Sequence, residues 1–209
     1  METIETIQYR GQEIEIFQDD YPTSPDEYGN DDIFLVYGHR DFEVKVKGYD
    51  PEEIFHYTNE RKRLFYEGYW VFPVFAYIHS EVSLSLDRRG GNMYWQHVDW
   101  DVSFQGFALV KKMKGWTYTR KQAEKIAQSL LDEWNDYLSG NVYGYKVLND
   151  SCSGYYGDPE KSGCIDLAKG HIDSHIEKER AKWYNTLKSE IKGHRPLNYR
   201  LQAPVIIYC

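Results

Sequence analysis

The chain has 209 residues, 41% hydrophobic and 28% charged, with a formal net charge of −8. That length suits one domain or one domain with a helical appendage. It buries a real core without metals or disulfides, and no run approaches the ~18 apolar residues of a membrane span. Cys152, Cys164 and Cys209 form no CxxC pair and leave an odd thiol, which fits a reducing cytosol better than a disulfide framework.

The opening stretch METIETIQYRGQEIEIF lacks the basic start and apolar run of a secretory signal. With Ile14 and Ile16 alternating and Arg10-Gly11-Gln12 as a turn, it predicts a hairpin. Residues 19–32, DDYPTSPDEYGNDD, carry six acidic side chains, two prolines and a glycine, and predict an exposed irregular loop. IFLVYG is a short buried strand ending at Gly38, and FEVKVKGY alternates as another. Asp50 as N-cap, Pro51 at the first helical position and the two glutamates behind it start a helix. YWVFPVFAYIHSEVSLSL reads as a central strand pair with a bend or edge at Pro73. After the turn DRRGG comes the strand VSFQGFALVKK.

TRKQAEKIAQSLLDEWNDYLSG is the clearest helix. Thr119 and Gln122 have capping-box spacing, and Ala123, Ile126, Ala127, Leu130, Leu131, Trp134 and Leu138 recur at helical spacing up to Gly140. VYGYKVL is a strand. A second long helix places Ile165, Ile172, Ile176, Trp183, Leu187 and Ile191 in one stripe, with Gly193 and Pro196 as its stop. The tail APVIIYC suits a last strand. The expected class is α+β, a mostly antiparallel sheet packed by two long amphipathic helices. Its domain would span residues 1–160, with residues 161–209 as a C-terminal helix and tail packed on it.

No phosphate-binding glycine loop, dinucleotide fingerprint, HExxH or zinc-type cysteine pair is present, and no cofactor is expected. A cysteine nucleophile needs a base and a group to orient that base. Cys152 in a Gly/Ser/Asp-rich turn, His79, and Asp101 or Asp150 would supply such a set, with a packed cysteine and a structural histidine as the competing reading. His97, Asp99 and Asp101 alternate in QHVDWD, so on a strand they share a face that would hold a divalent cation; cross-strand pairing with Arg88, Arg89 or Lys111 accounts for them equally.

Residues 1–60 hold 16 Asp/Glu and 4 Lys/Arg, a balance of 4 − 16 = −12, against 21 − 17 = +4 for the remainder. Nucleic-acid binding needs a basic stripe, and the basic residues in NERKRLF with Lys112 do not make one. The acidic third is instead a docking face for a basic partner. Aromatics make up 16% of the chain, and the tyrosines of SGNVYGYKV and SGYYGD predict two turns forming a half-exposed patch of the kind that anchors interfaces.

Five motifs in order resemble a family of uncharacterised bacteriophage and prophage proteins. Asp20, Pro22, Ser24, Pro25, Glu27, Tyr28 and Asn30 match its acidic loop, followed by His39 and Arg40. Pro73, Val74, Phe75, Tyr77, His79 and Ser80, with Ser85, match its strand motif. Trp100, Asp101, Gln105, Gly106 and Phe107 follow, then Tyr137, Leu138, Gly140, Val142, Tyr143, Gly144 and Tyr145, and last Asp150, Ser151, Cys152, Gly154, Tyr155, Tyr156 and Gly157. Glu81 stands where the family has glycine and Ser153 where it has tryptophan. The resemblance implies a phage accessory protein in the host cytoplasm. The leading expectation is a binder and inhibitor of a host protein, a nucleic-acid-binding defence complex, in the manner of an anti-CRISPR. Asp19, Asp20, Asp26, Glu27, Asp31 and Asp32 would be its contacts, with Tyr143, Tyr145, Tyr155 and Tyr156 as anchors. The alternatives are a hydrolase or nucleotide-processing enzyme built on Cys152, His79, Asp101 and Asp150, and a self-associating structural protein.

Overall fold

A computed structural model describes residues 2–28, 31–39, 42–44, 48–61, 64–78, 81–90, 101–112 and 119–192. The class is α+β, and every strand pair is antiparallel. The strands form two sheets where the patterning predicts one. They belong to two compact units: Met1–Tyr21 with Val142–Cys209, and Pro22–Asn141. The expected boundary at residue 160 falls inside the first unit.

The first unit joins two hairpins. β1 (Thr3–Tyr9) and β2 (Gln12–Gln18) turn at Arg10-Gly11, while β9 (Val142–Val147) and β10 (Asp150–Tyr156) turn at Leu148-Asn149. Leu148 adopts a φ of 56°, unusual for a side chain of that bulk. β2 pairs with β9, giving the order β1-β2-β9-β10 and setting Ile14 opposite Val147 and Ile16 opposite Tyr145. On that face lies a long helix (Cys164–Lys192, α3 below), which buries Cys164, Ile165, Ala168 and Ile172 against those four side chains. On the other face Phe17 covers Gly144; a Cβ there would come within 2.5 Å of the Phe17 ring and 2.6 Å of the Cys152 carbonyl. The tyrosine-bearing segments are therefore strands. β9 forms where VYGYKVL predicts a strand, and the SGYYGD tyrosines, expected in a turn, lie on β10, which pairs with β9.

In the second unit the strand order is β4-β3-β8-β6-β5, from β3 (Ile33–His39), β4 (Phe42–Val44), β5 (Phe65–Tyr66), β6 (Tyr69–Ile78) and β8 (Val102–Lys111), with β7 (Val82–Ser85) also on β6. Alternation sorts its side chains. Leu35, Tyr37, Phe72, Val74, Ala76, Ala108 and Val110 pack under α2 (Arg120–Leu138) with Ala123, Ala127, Leu131 and Trp134. Val36, Val71, Phe107 and Leu109 face the other way, with Ile54 of α1 (Pro51–Arg61). Burial on both faces explains why these strands read as continuous apolar runs.

Local signals behave as the physics requires. The Glu52 N–H donates to Asp50 Oδ1 at 2.8 Å, capping α1, and the Thr119 N–H donates to Gln122 Oε1 at 2.9 Å, one half of the capping box of α2. Pro73 sits inside β6 without removing a ladder bond. The Val71 N–H points to Leu64, away from β8, so two residues on the proline nitrogen faces the same way, into the gap between β5 and β7. The acidic loop is not wholly irregular: Pro25–Tyr28 forms a 3₁₀ turn, closed by the Glu27 N–H to the Ser24 carbonyl at 3.1 Å. The last helix runs unbroken through Gly170, but its apolar stripe is buried only in its first half. The proposed tail strand lies outside the described residues.

Gly106 is the tightest point of the second sheet: a Cβ there would lie 2.1 Å from the Val36 carbonyl oxygen and 2.9 Å from Tyr37 Cα. Gly106→Ala is expected to cost about 3 kcal/mol through displacement of β3, and Gly144→Ala to disturb the β2–β9 pairing similarly. Chemical denaturation with hydrogen exchange read separately on β3/β8 and β2/β9 would check both; free tolerance of either alanine would contradict the assigned registers.

Candidate functional site

The sequence-based candidates fall in different places. Cys152 is exposed in β10, not in a turn, and the Tyr155 hydroxyl donates to its Sγ at 3.4 Å. Burial, followed by the bond to Cys152, raises the Tyr155 hydroxyl above its ordinary range. The Tyr145 and Tyr155 rings lie 5.9 Å apart. Cys164 is buried at the start of α3, and desolvation first, then the neighbouring Cys152, pushes its thiol up to about 11. That thiol is a poor source of thiolate. Asp150, two residues before Cys152 on β10, has an imidazole partner that the sequence did not single out: His171 Nε2 of α3 lies 3.5 Å from Asp150 Oδ2. His79 lies outside the described residues and Asp101 belongs to the second unit. Of the candidate metal triplet, His97 and Asp99 also lie outside them. Among the described residues no three His, Cys, Asp or Glu side chains converge as a cation site.

The six loop carboxylates divide between the units. Asp19 and Asp20 end the first hairpin, and the Asp19 carboxylate accepts the Tyr21 N–H at 3.1 Å. Asp26 and Glu27 are exposed on the 3₁₀ turn, where Ser24 donates to Asp26. Asp31 is exposed, and its backbone carbonyl accepts the Tyr69 hydroxyl at 2.9 Å. Asp32 is tied to Lys111 Nζ at 2.6 Å, and that ion pair raises the lysine's pKa. Asp32 thus anchors the start of β3 to the end of β8. Of the four expected anchors Tyr145 is buried, because β9 turns it toward α3, whereas Tyr143, Tyr155 and Tyr156 are half-buried.

Two features of the second unit stand out only with the fold in view. Most charges of α2 run against its macrodipole: Arg120, Lys121 and Lys125 lie in the N-terminal turns with one acid, Glu124; Asp132, Glu133 and Asp136 lie in the C-terminal half; and no basic residue occupies the last turn. Burial first, then the charges of Asp132 and Asp136, raises the Glu133 carboxyl above its usual range; burial and Asp132 do the same to Asp136, partly offset by a hydrogen bond to Asn141. The second feature is an open cleft of about 660 Å³ lined by Asp50, Glu52, Phe55, His56, Phe104 and Gln105. The Phe55 and Phe104 rings, 5.5 Å apart, remain 42% and 38% exposed. The cleft brings two aromatic rings together with two acidic residues in its lining.

No protein-family profile, curated protein or solved structure matches this chain. Among the described residues no helix is long and apolar enough to cross a membrane.

Brief alkylation of the folded protein is expected to modify Cys152 and to spare Cys164 until unfolding, as peptide mass mapping would record. Equal labelling of the two would contradict the packing of α3 on β9.

Proposed function

We propose that the protein works by binding, docking its acidic faces on a basic, nucleic-acid-binding surface of another protein. Following the phage-family resemblance, that target is a host defence complex which the docking inhibits in the host cytoplasm. The observation that carries this reading is the charge order of α2. Asp136, in the last turn, costs about 0.3–1 kcal/mol against the helix dipole, and its like charge with Asp132 at i,i+4 adds a smaller penalty. A cationic partner converts both into attraction. The exposed Asp26, Glu27 and Asp31 extend the negative field of the same unit, and such fields steer association with oppositely charged surfaces. The cleft supplies a specific seat, where a lysine or arginine of the target would lie over Phe104 with its charge toward Asp50 and Glu52.

The variant carrying Asp132→Asn, Glu133→Gln and Asp136→Asn separates binding from folding. Glu133 and Asp136 have raised pKa values in the fold. Their contribution to stability is therefore full below the unfolded carboxylate pKa and is lost as pH climbs through the raised folded values. At neutral pH the variant is expected to be more stable by about 1 kcal/mol, or ~2–4 °C in Tm, with the gain vanishing in acid. Affinity capture of the tagged chain from a bacterial host should retain a basic protein at low salt, lose it at high salt, and lose it in the stabilised variant. A variant that keeps the same partner through high salt would overturn the reading.

A further inference from the structure

The joint between β10 and α3 carries a thiol on each side, Cys152 in the strand and Cys164 as the first residue of the helix. Register fixes the direction of Cys152. It lies opposite Tyr145 of β9, and opposed residues of an antiparallel pair project from the same face, with Cβ atoms about 4.5–5.5 Å apart. Tyr145 faces α3 and is buried in one cluster with Cys164. Cys152 is therefore on the face that α3 covers, exposed on the edge strand, while Cys164 is buried. Tyr155 spans the interval. Its ring packs on the cluster that holds Cys164, and its hydroxyl donates to Cys152 Sγ at 3.4 Å. The Cys152 thiol also reaches the Ser153 carbonyl at 4.0 Å. After burial, Cys152 is the second cause that pushes the Cys164 thiol up to about 11, as a nearby like-charging group does.

We propose that Cys152 and Cys164 are a peroxide-responsive pair, joined by a disulfide when a hydroperoxide reaches the exposed thiol. With hydrogen peroxide, the Cys152 sulfur attacks the O–O bond; an S–O bond forms, water leaves, and the product is a sulfenic acid. The Cys164 sulfur then attacks the Cys152 sulfur. The S–S bond forms, the S–O bond breaks, and the departing hydroxide takes the Cys164 proton as a second water. Two thiols lose two electrons and two protons, and the peroxide is reduced to two waters. The fold suits this order, because Cys152 is open to the oxidant and Cys164 is shielded from it. Cys164 opens α3, where the first N–H groups have no intrahelical partner, and it follows Gly163 at a φ of 83° with open space beside its Cα. The first turn can thus shift toward β10 without breaking the helix ladder. The bond closes the loop from residue 152 to residue 164 and fastens the helix to the edge strand beneath it.

Treatment of the full chain with hydrogen peroxide, followed by blocking of free thiols and tryptic mapping without reductant, tests this. Residues 147–161 and 162–169 are expected as one crosslinked species, short by two hydrogens, which a reductant separates. Cys209→Ala should leave the crosslink unchanged. Cys152→Ser should leave Cys164 reduced under the same peroxide, and Cys164→Ala should leave Cys152 as a sulfenic acid that dimedone traps. The oxidised chain is expected to melt ~5–10 °C above the reduced chain. Cys152 left unoxidised overturns the sensing step. Wild-type Cys152 that stops at sulfinic acid, bonds to Cys209 or links two chains overturns the pairing with Cys164. A crosslink that lowers Tm, or forms only with loss of helix in circular dichroism, overturns the placement of both sulfurs at one joint.

Discussion

The pairing of β2 with β9 is the constraint on which the architecture rests. It joins residues 14–18 to residues 143–147, across the whole of the second unit, and closes a sheet that neither hairpin completes alone. An isolated two-stranded hairpin is marginal in water, while four strands under a helix bury a core. The Asp19 N–H donates to the Val142 carbonyl at 2.8 Å, so the chain leaves the first unit beside the point where it returns. Residues 22–141 are thereby an excursion between two adjacent strand ends, the connection that domain insertion requires. Long-range closure of this kind carries a loop-entropy cost that grows only slowly with the length of the excursion. The opposed pairs Ile14/Val147 and Ile16/Tyr145, sealed by Ile165 and Ile172, are positioned to offset it.

Within the excursion the sheet is covered on both faces, and one side chain links its edge to the helix above. Asn135 of α2 accepts the Leu84 N–H at 2.7 Å and donates to the Leu84 carbonyl at 2.9 Å, so its amide serves β7 as one residue of a neighbouring strand would. That satisfies two backbone groups on a short edge and sets where β7 lies relative to α2. A helix asparagine between Trp134 and Asp136 looks in sequence like a solvent residue; its role appears only when β7 is placed beside it.

Local chemistry made most elements legible. The Arg10-Gly11 turn, the Asp50 cap, the Thr119/Gln122 pair and the apolar runs of β3, β6 and β8 are signals a few residues long, and each forms where its residues predict. What the residues could not reveal is non-local. The division into two sheets depends on which hairpin β2 chooses, and the burial of Tyr145 depends on the face α3 covers. Glycine content made SGYYGD look like a turn, whereas Tyr155 and Tyr156 end β10, and Gly144 in β9 is there because Phe17 lies against it. The candidate site was less legible for the same reason. His171 pairs with Asp150 through a strand-to-helix contact that no spacing announces. The charge order of α2, by contrast, is written in RKQAEKIAQSLLDEWND and needed only the helix axis to become meaningful.

Both long helices depart from what folding alone would select, and magnitudes explain why each departure survives. Burying Leu131 or Trp134 under the second sheet contributes about 2–3 kcal/mol, well above the ~0.3–1 kcal/mol that a carboxylate at the wrong helix end costs. α2 therefore folds with its charges reversed. α3 departs in the opposite sense: Ile165, Ala168 and Ile172 hold its first turns, and the later turns carry Trp183, Tyr184 and Ile191 exposed. In each case a securely packed half carries a half whose chemistry is unsatisfied inside its own unit.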